Sequence, residues 1–141
     1  MKWFVKLNLM SAFFAIPFLL SIELMVNVYR ISRVTGWDID RVNKITNIYQ
    51  MAGFVVTTLF FLFLVNRWME GRTARYVSIL LSILYLFMFI YIIKKGFPIT
   101  FQGDKANPVS GLIILGEFLL FPLYIAVINV FGKRIRSSYR K

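Results

Sequence analysis

Four long apolar runs alternate with short polar stretches along this chain, near Leu7–Tyr29, Ile45–Val65, Tyr76–Ile93 and Gly111–Phe131. Each is close to the about 20 residues that cross a hydrocarbon core of about 30 Å. Only Glu23 and Glu117 place a formal charge inside them. In lipid every backbone N–H and C=O must be satisfied internally, so each run is predicted to be a helix. Strands of a β-barrel would be shorter and would alternate in polarity. The expected fold is all-α: a polytopic membrane protein whose residues 1–141 form a single four-transmembrane-helix bundle with short loops.

The connections differ in character. Asn66–Arg75 is a short turn around Gly71, which predicts that the second and third spans are antiparallel neighbours. Arg30–Lys44 is longer. Within it Asp38 suits an N-cap and Asp40 precedes Lys44 by four residues, so the second helix is expected to begin there, outside the membrane. Lys94–Ser110 carries Gly96, Pro98, Gly103 and Pro108, with a turn signal at Gln102-Gly103-Asp104. Ile99-Thr100-Phe101 reads as a short strand of a lid-like hairpin. Small residues spaced by four, Ser11 and Ala15 in the first span and Ala74, Ser78 and Ser82 in the third, mark helix contacts. Lys2 and Lys6 before an apolar run have the look of a signal peptide. No small-x-small cleavage site follows, so an uncleaved first span is expected.

Composition strengthens the membrane reading. Of 141 residues, 59% are hydrophobic and 18% aromatic, more apolar surface than a soluble domain of this size could hide. The net charge of +11 would suggest nucleic acid in a soluble protein. Here the basic residues flank apolar runs, as headgroup anchors do, so the lipid bilayer is the expected partner and nucleic acid is not. Ten Lys and Arg lie beside one set of span ends, including Lys2, Lys6, Arg67, Arg72, Arg75 and a C-terminal cluster at Lys133, Arg134, Arg136, Arg140 and Lys141. Seven lie beside the other: Arg30, Arg33, Arg41, Lys44, Lys94, Lys95 and Lys105. Ten against seven predicts both termini in the cytoplasm. Trp3, Trp68, Tyr76 and Tyr139 would mark the inner interface and Tyr29, Trp37, Tyr49 and Tyr91 the outer one. The chain has no cysteine and no histidine. That removes disulfides, thiol chemistry, His or Cys zinc sites and Ser-His-Asp catalysis, and no cofactor or metal site is expected. It also fits a bacterial cell membrane.

Glu23 and Glu117 are the informative residues. A carboxyl group inside a span is costly, about 2.5–3.5 kcal/mol on insertion scales, and usually faces a cavity or a partner. Glu23 lies six residues before Tyr29 and Glu117 six after Gly111. At about 1.5 Å per residue both sit about 9 Å below the outer helix ends. Pro17 and Pro122 lie deeper. Asn27 and Arg30 follow Glu23 at i+4 and i+7, Tyr124 and Ser110 lie seven residues either side of Glu117, and Gln50 stands at a similar level. Glu23, Asn27, Gln50, Glu117 and Tyr124 are therefore expected to line one polar pocket open to the outside. Read structurally, each glutamate is protonated or hydrogen-bonded to Asn27, Gln50 or Tyr124 and acts as interhelical glue. Read functionally, the pair binds a proton, a cation or a partner's basic residue. Arg30, Arg33, Lys94 and Lys95 read as interfacial anchors that can meet a lipid headgroup or a partner. Asp38-Ile39-Asp40 has the spacing of a metal-holding Asp-x-Asp, but helix capping explains it.

The leading expectation is an accessory, regulatory or protective (immunity-type) interaction protein acting within the membrane. It would bind a larger membrane protein or a second copy of itself. Small size and the lack of a recognisable catalytic set support it. The alternative is a small proton-coupled transporter using Glu23 and Glu117. Four short helices with Glu23 in the first loosely resemble the small multidrug resistance family. That resemblance implies a glutamate that alternately holds a proton and a cationic drug. The likeness covers helix count and Glu23 alone; the outer loops are longer, the glutamate is off-centre, and a second acid stands at Glu117. A third reading, an enzyme acting on lipids or a quinone through Glu23, Glu117 and Tyr124, lacks any further catalytic group.

Overall fold

The computed structural model describes residues 2–68 and 72–138. Gly71, Tyr139, Arg140 and Lys141, which entered the expectations above, lie outside the described residues, as do the side chains of Lys2, Arg72, Lys133, Arg134 and Arg136. Five helices account for nearly all of it: α1 (Lys2–Val26), α2 (Val28–Thr35), α3 (Ile39–Trp68), α4 (Arg72–Gly96) and α5 (Pro108–Ser138). Four of them, all but α2, are long and apolar enough to cross a membrane. The fold is all-α, a four-helix bundle of the multi-pass membrane type.

The packing order departs from the connection order. α1 lies chiefly against α4, and α3 against α5; α1–α3 and α4–α5 close the square, with α1 and α5 also touching across it. Among the described residues α3 and α4 make no close contact. The expectation that the second and third spans are neighbours is therefore corrected: they occupy opposite corners. The physical reason is the small-residue stripes. Ser11 and Ala15 on α1 and Ala74, Ser78 and Ser82 on α4 are all buried. Small side chains let backbones approach closely, and the α4 stripe serves two neighbours, since its Ser78 Oγ also accepts from Asn129 Nδ2 of α5 at 3.2 Å.

Registers follow from particular contacts. Ser21 meets Glu117, and the Phe18 and Phe121 rings lie 4.3 Å apart, so α1 and α5 run antiparallel with residue numbers summing to about 139. Both described ends of the chain therefore lie at one end of the bundle. Tyr124 meets Thr58, and Gly132 lies against Val65, so α3 and α5 run parallel. Bulk fills the centre: Met10, Phe14, Phe61, Leu86, Phe121 and Ile125 are almost completely buried.

Among the described residues the end opposite the termini carries the helical turns that lie outside the four spans, α2 and a 3₁₀ turn. The first span stops at Val26, three residues short of the expected Tyr29, because Asn27 leaves helical geometry. Its side-chain amide donates to the Glu23 carbonyl at 2.8 Å, a carbonyl that already accepts the Asn27 backbone N–H. Side-chain competition of this kind bends helices. Beyond the bend the chain forms a short helix, α2, which occupies the first part of the long connection. α2 packs on α3, and Val28 of α2 and Val42 and Thr46 of α3 are buried. Gly36 ends α2 at φ +70°, the left-handed conformation glycine adopts freely, and Ser32 Oγ clasps the Trp37 carbonyl at 2.6 Å. Asp38 then takes the N-cap position of α3, its carbonyl accepting from Val42, so the second span does begin outside the apolar zone as expected.

The segment between α4 and α5 contains no strand; Gln102–Asp104 forms a single 3₁₀ turn instead of a hairpin. Arg33 holds that turn, donating from Nε to Asp104 Oδ1 (2.9 Å) and from Nη2 to Oδ2 (2.7 Å), with its guanidinium 5.0 Å from the Phe101 ring centre. The hydrogen bonds and charge of Arg33 hold the Asp104 carboxyl below its usual range, outweighing the opposing effect of desolvation. At the start of α5 Asn107 is the N-cap: its Oδ1 accepts the Ser110 N–H at 2.8 Å, and Pro108 takes the first helical position, where its missing N–H is not needed.

Candidate intramembrane site

The five candidate residues separate into three groups. Among the described residues Glu23 bonds to Asn27 just beyond the end of α1, its Oε2 accepting from Asn27 Nδ2 at 3.0 Å. Glu117 accepts from Ser21 Oγ at 2.9 Å, and the same hydroxyl accepts from Gln50 Nε2 at 2.9 Å, so α1, α3 and α5 are tied together at one point. Tyr124 lies two turns deeper on α5, its hydroxyl 2.9 Å from Thr58 Oγ1.

Glu23 and Glu117 do not share the single pocket expected for them, since Glu117 lines the cleft described below and Glu23 does not. Their levels do agree, since the register of α1 and α5 puts Glu23 opposite residue 116. Rotation separates them. Two residues span about 200° of a helix, so with Ser21 turned toward α5, Glu23 points nearly the opposite way. Glu117 is likewise bonded to Ser21 and to neither Gln50 nor Tyr124 directly. Of the outlying polar groups, Ser110 is consumed by the Asn107 cap, and Arg33 by Asp104. Arg30 is half-buried near Asp104, and Lys94 and Lys95 are exposed in the last turn of α4, where cations suit the negative end of the helix dipole.

Gln50, Glu117 and Tyr124, with Ser21, line a cleft of about 800 Å³ between α3 and the α1–α5 pair. Glu23 and Asn27 are not among its walls. Nor does it open toward the aqueous end as expected. Its rim consists of exposed apolar residues, including Leu20, Met51, Val55, Leu120 and Leu123, so it opens sideways, where the hydrocarbon lies. Pro17 lines it too. Proline interrupts the helical ladder and leaves the carbonyl four residues back without its usual donor. The rings of Phe18 and Phe54 close on Tyr124 at 5.5 and 5.3 Å and form the deeper wall.

One atom at this site is unmatched. Glu117 Oε2 is buried and has no hydrogen-bond partner among the described residues. Buried polar atoms are nearly always paired, so such an atom calls for a reason. Glu117 and Tyr124 stand two turns apart, about 10 Å along the helix, and Glu23 faces elsewhere, so no acid–base pair brackets the cleft.

Sequence reasoning missed Ser21, the residue on which the site turns, and Thr58. A serine in an apolar span usually bonds back to its own helix, as Ser11 and Ser82 do here. A signal existed, because Ser21 lies two residues from Glu23 at the level of Glu117. No protein-family model, no curated protein and no solved structure matches this chain.

Proposed function

We propose that this chain is a small multi-pass protein of a bacterial cell membrane that acts by binding inside the bilayer, as an accessory, regulatory or protective (immunity-type) protein. Its partner is a larger membrane protein or a second copy of itself, met along the lateral face that carries the α3 cleft. The observation behind this reading is the setting of Glu117. Its carboxyl group hangs on one serine hydroxyl, with the other oxygen unmatched, at the wall of a cleft with an apolar, exposed rim. Only a molecule embedded in hydrocarbon reaches that rim, and a matched contact there would offset the penalty of keeping a carboxyl in the span. Ten Lys and Arg flank the terminal end against seven at the α2 end. That bias supports both termini in the cytoplasm.

Extraction in native lipid particles with mass spectrometry of the co-purified proteins tests the proposal. A stoichiometric larger membrane protein, or a stable homo-oligomer, is expected. Glu117→Leu should release it while helicity and monodispersity stay unchanged. Recovery of a lone monomer with or without Glu117 would refute the proposal.

A second reading, a small proton-coupled transporter, draws on the size of the cleft and on the presence of Glu117 in its wall. With Glu23 bonded to Asn27 on another face of α1, that reading rests on Glu117 alone. Proton-linked flux in liposomes should then vanish in Glu117→Gln and survive in Glu23→Gln; flux retained in Glu117→Gln excludes it.

A further inference from the structure

We infer that the cleft beneath α3 is a binding site for a lipid with a hydroxyl head and a single long apolar tail, the hydroxyl meeting Glu117. This rests on the reading that the chain engages its partner along the lateral face carrying that cleft, and it names what fills the cleft within that face.

Three observations carry it. The first is size and lining. A cleft of about 800 Å³ is within the range of about 300–1,000 Å³ typical of small-molecule sites, and it has their usual make-up of apolar walls with a few convergent polar groups. Lipid-facing grooves between packed helices have no need of such a polar end.

The second is polarity along the cleft. Ser21, Gln50 and Glu117 gather at its end nearer α2, Thr57 and Tyr124 stand further along, and Phe61 and Val127 close the apolar far end, past the middle of the spans. From Gln50 to Phe61 is eleven residues of α3, or about 16 Å at the helical rise. A lipid entering from the leaflet on the α2 side has a matching layout, with its head toward that interface and its tail running to the midplane and a little beyond it.

The third is the unmatched atom. Glu117 Oε2 has no partner among the described residues, and the torsion that carries a carboxyl group is broad, so it can turn toward the cleft. A hydroxyl suits it in either protonation state. It donates to the carboxylate, or accepts from the carboxylic acid while its own proton goes to Oε1 or to Gln50. An alkyl tail alone gives the oxygen nothing.

The test is photolabelling of the full chain in lipid nanodiscs with hexadecanol carrying a diazirine in its tail, followed by peptide mapping. Adducts are expected on the cleft-lining parts of α3 and α5. Unlabelled hexadecanol should compete, and hexadecane should compete about tenfold less, as the loss of one hydrogen bond to a charged or acidic group implies. Glu117→Leu should reduce labelling about tenfold, Glu117→Gln should retain most of it because an amide also donates and accepts, and Leu123→Trp should block it by filling the cleft. Each variant is judged only where its helicity and monodispersity match the parent. Labelling spread equally over the exposed α4 residues Leu84 and Phe87 overturns the inference, as does equal competition by hexadecane. If the alcohol never labels the cleft but a co-purifying protein is lost in Glu117→Leu, a protein side chain fills the site. The lipid inference then fails while the interaction reading stands.

Discussion

Gly132 offers the most direct test of how α3 and α5 are packed. A methyl group added there would lie 2.5 Å from Val65 Cγ1 and 3.0 Å from Val65 Cβ. Val65 is 3% exposed, and its β-branched side chain has one strongly favoured rotamer in a helix, so it has little room to yield. Overpacking of this kind destabilises by about 1–3 kcal/mol. Against that, replacing glycine by alanine inside a helix gains about 1 kcal/mol. The net expectation for Gly132→Ala is a loss of about 0–2 kcal/mol. Gly116 lies in the same helix with nothing within 4 Å of the position its methyl would take. Gly116→Ala should therefore be neutral or stabilising by up to about 1 kcal/mol. Unfolding both variants by SDS titration in mixed micelles, with helicity as the signal, should separate them by about 1–3 kcal/mol. Adding Val65→Ala should rescue Gly132→Ala more than it helps the parent, the signature of two residues in contact. A Gly132→Ala protein as stable as Gly116→Ala would refute the close approach of the two helices.

Two further predictions concern the bundle and its cap. Ser82 is fully buried on α4, its hydroxyl donating to the Ser78 carbonyl; Ser82→Ala should be tolerated in the same SDS titration, whereas Ser82→Leu should drive the helices apart and abolish cooperative unfolding. The Asp104 carboxyl is held below its usual value by Arg33. A lowered folded-state value means that the clasp contributes fully above the ordinary carboxylate range, near about 3.9. That contribution is lost as pH falls through the lower folded value. Protease cleavage between Phe97 and Asn107 should accordingly be slow at neutral pH and faster only in strong acid, while Asp104→Asn should make it fast throughout.

Much of the fold was legible, because its cause is local. Apolar length sets the four spans, and the small residues Ser11, Ala15, Ala74, Ser78 and Ser82 marked the contact stripes that the structure buries. Asp38 marked where α3 starts. The illegible part depends on rotation and on distant pairs. The apolar pattern runs straight through Asn27, where α1 stops and the side-chain amide bonds the Glu23 carbonyl. Counting depth put Glu23 and Glu117 level, which the register supports, but depth carries no azimuth. Facing α5 falls to Ser21, two residues earlier. Arg33 and Asp104 are 71 residues apart, and nothing local pairs them. The order of helices around the bundle was misread for the same reason: a short connection limits distance at one end only, whereas the small-residue stripes of α1 and α4 act along the helices.

Engagement of a bilayer-embedded partner by the lateral face at the α3 cleft, through Glu117, is open to one direct measurement. A photocrosslinking residue placed at Leu123 on the cleft rim and, separately, at Leu84 on α4 compares that face with an ordinary lipid-facing one in intact cells. A discrete crosslink to a membrane protein, or to a second copy, is predicted from Leu123 and not from Leu84. It should be lost in Glu117→Leu and kept in Glu23→Gln. Equal crosslinking from both positions, or a Leu123 crosslink indifferent to Glu117, would contradict that role.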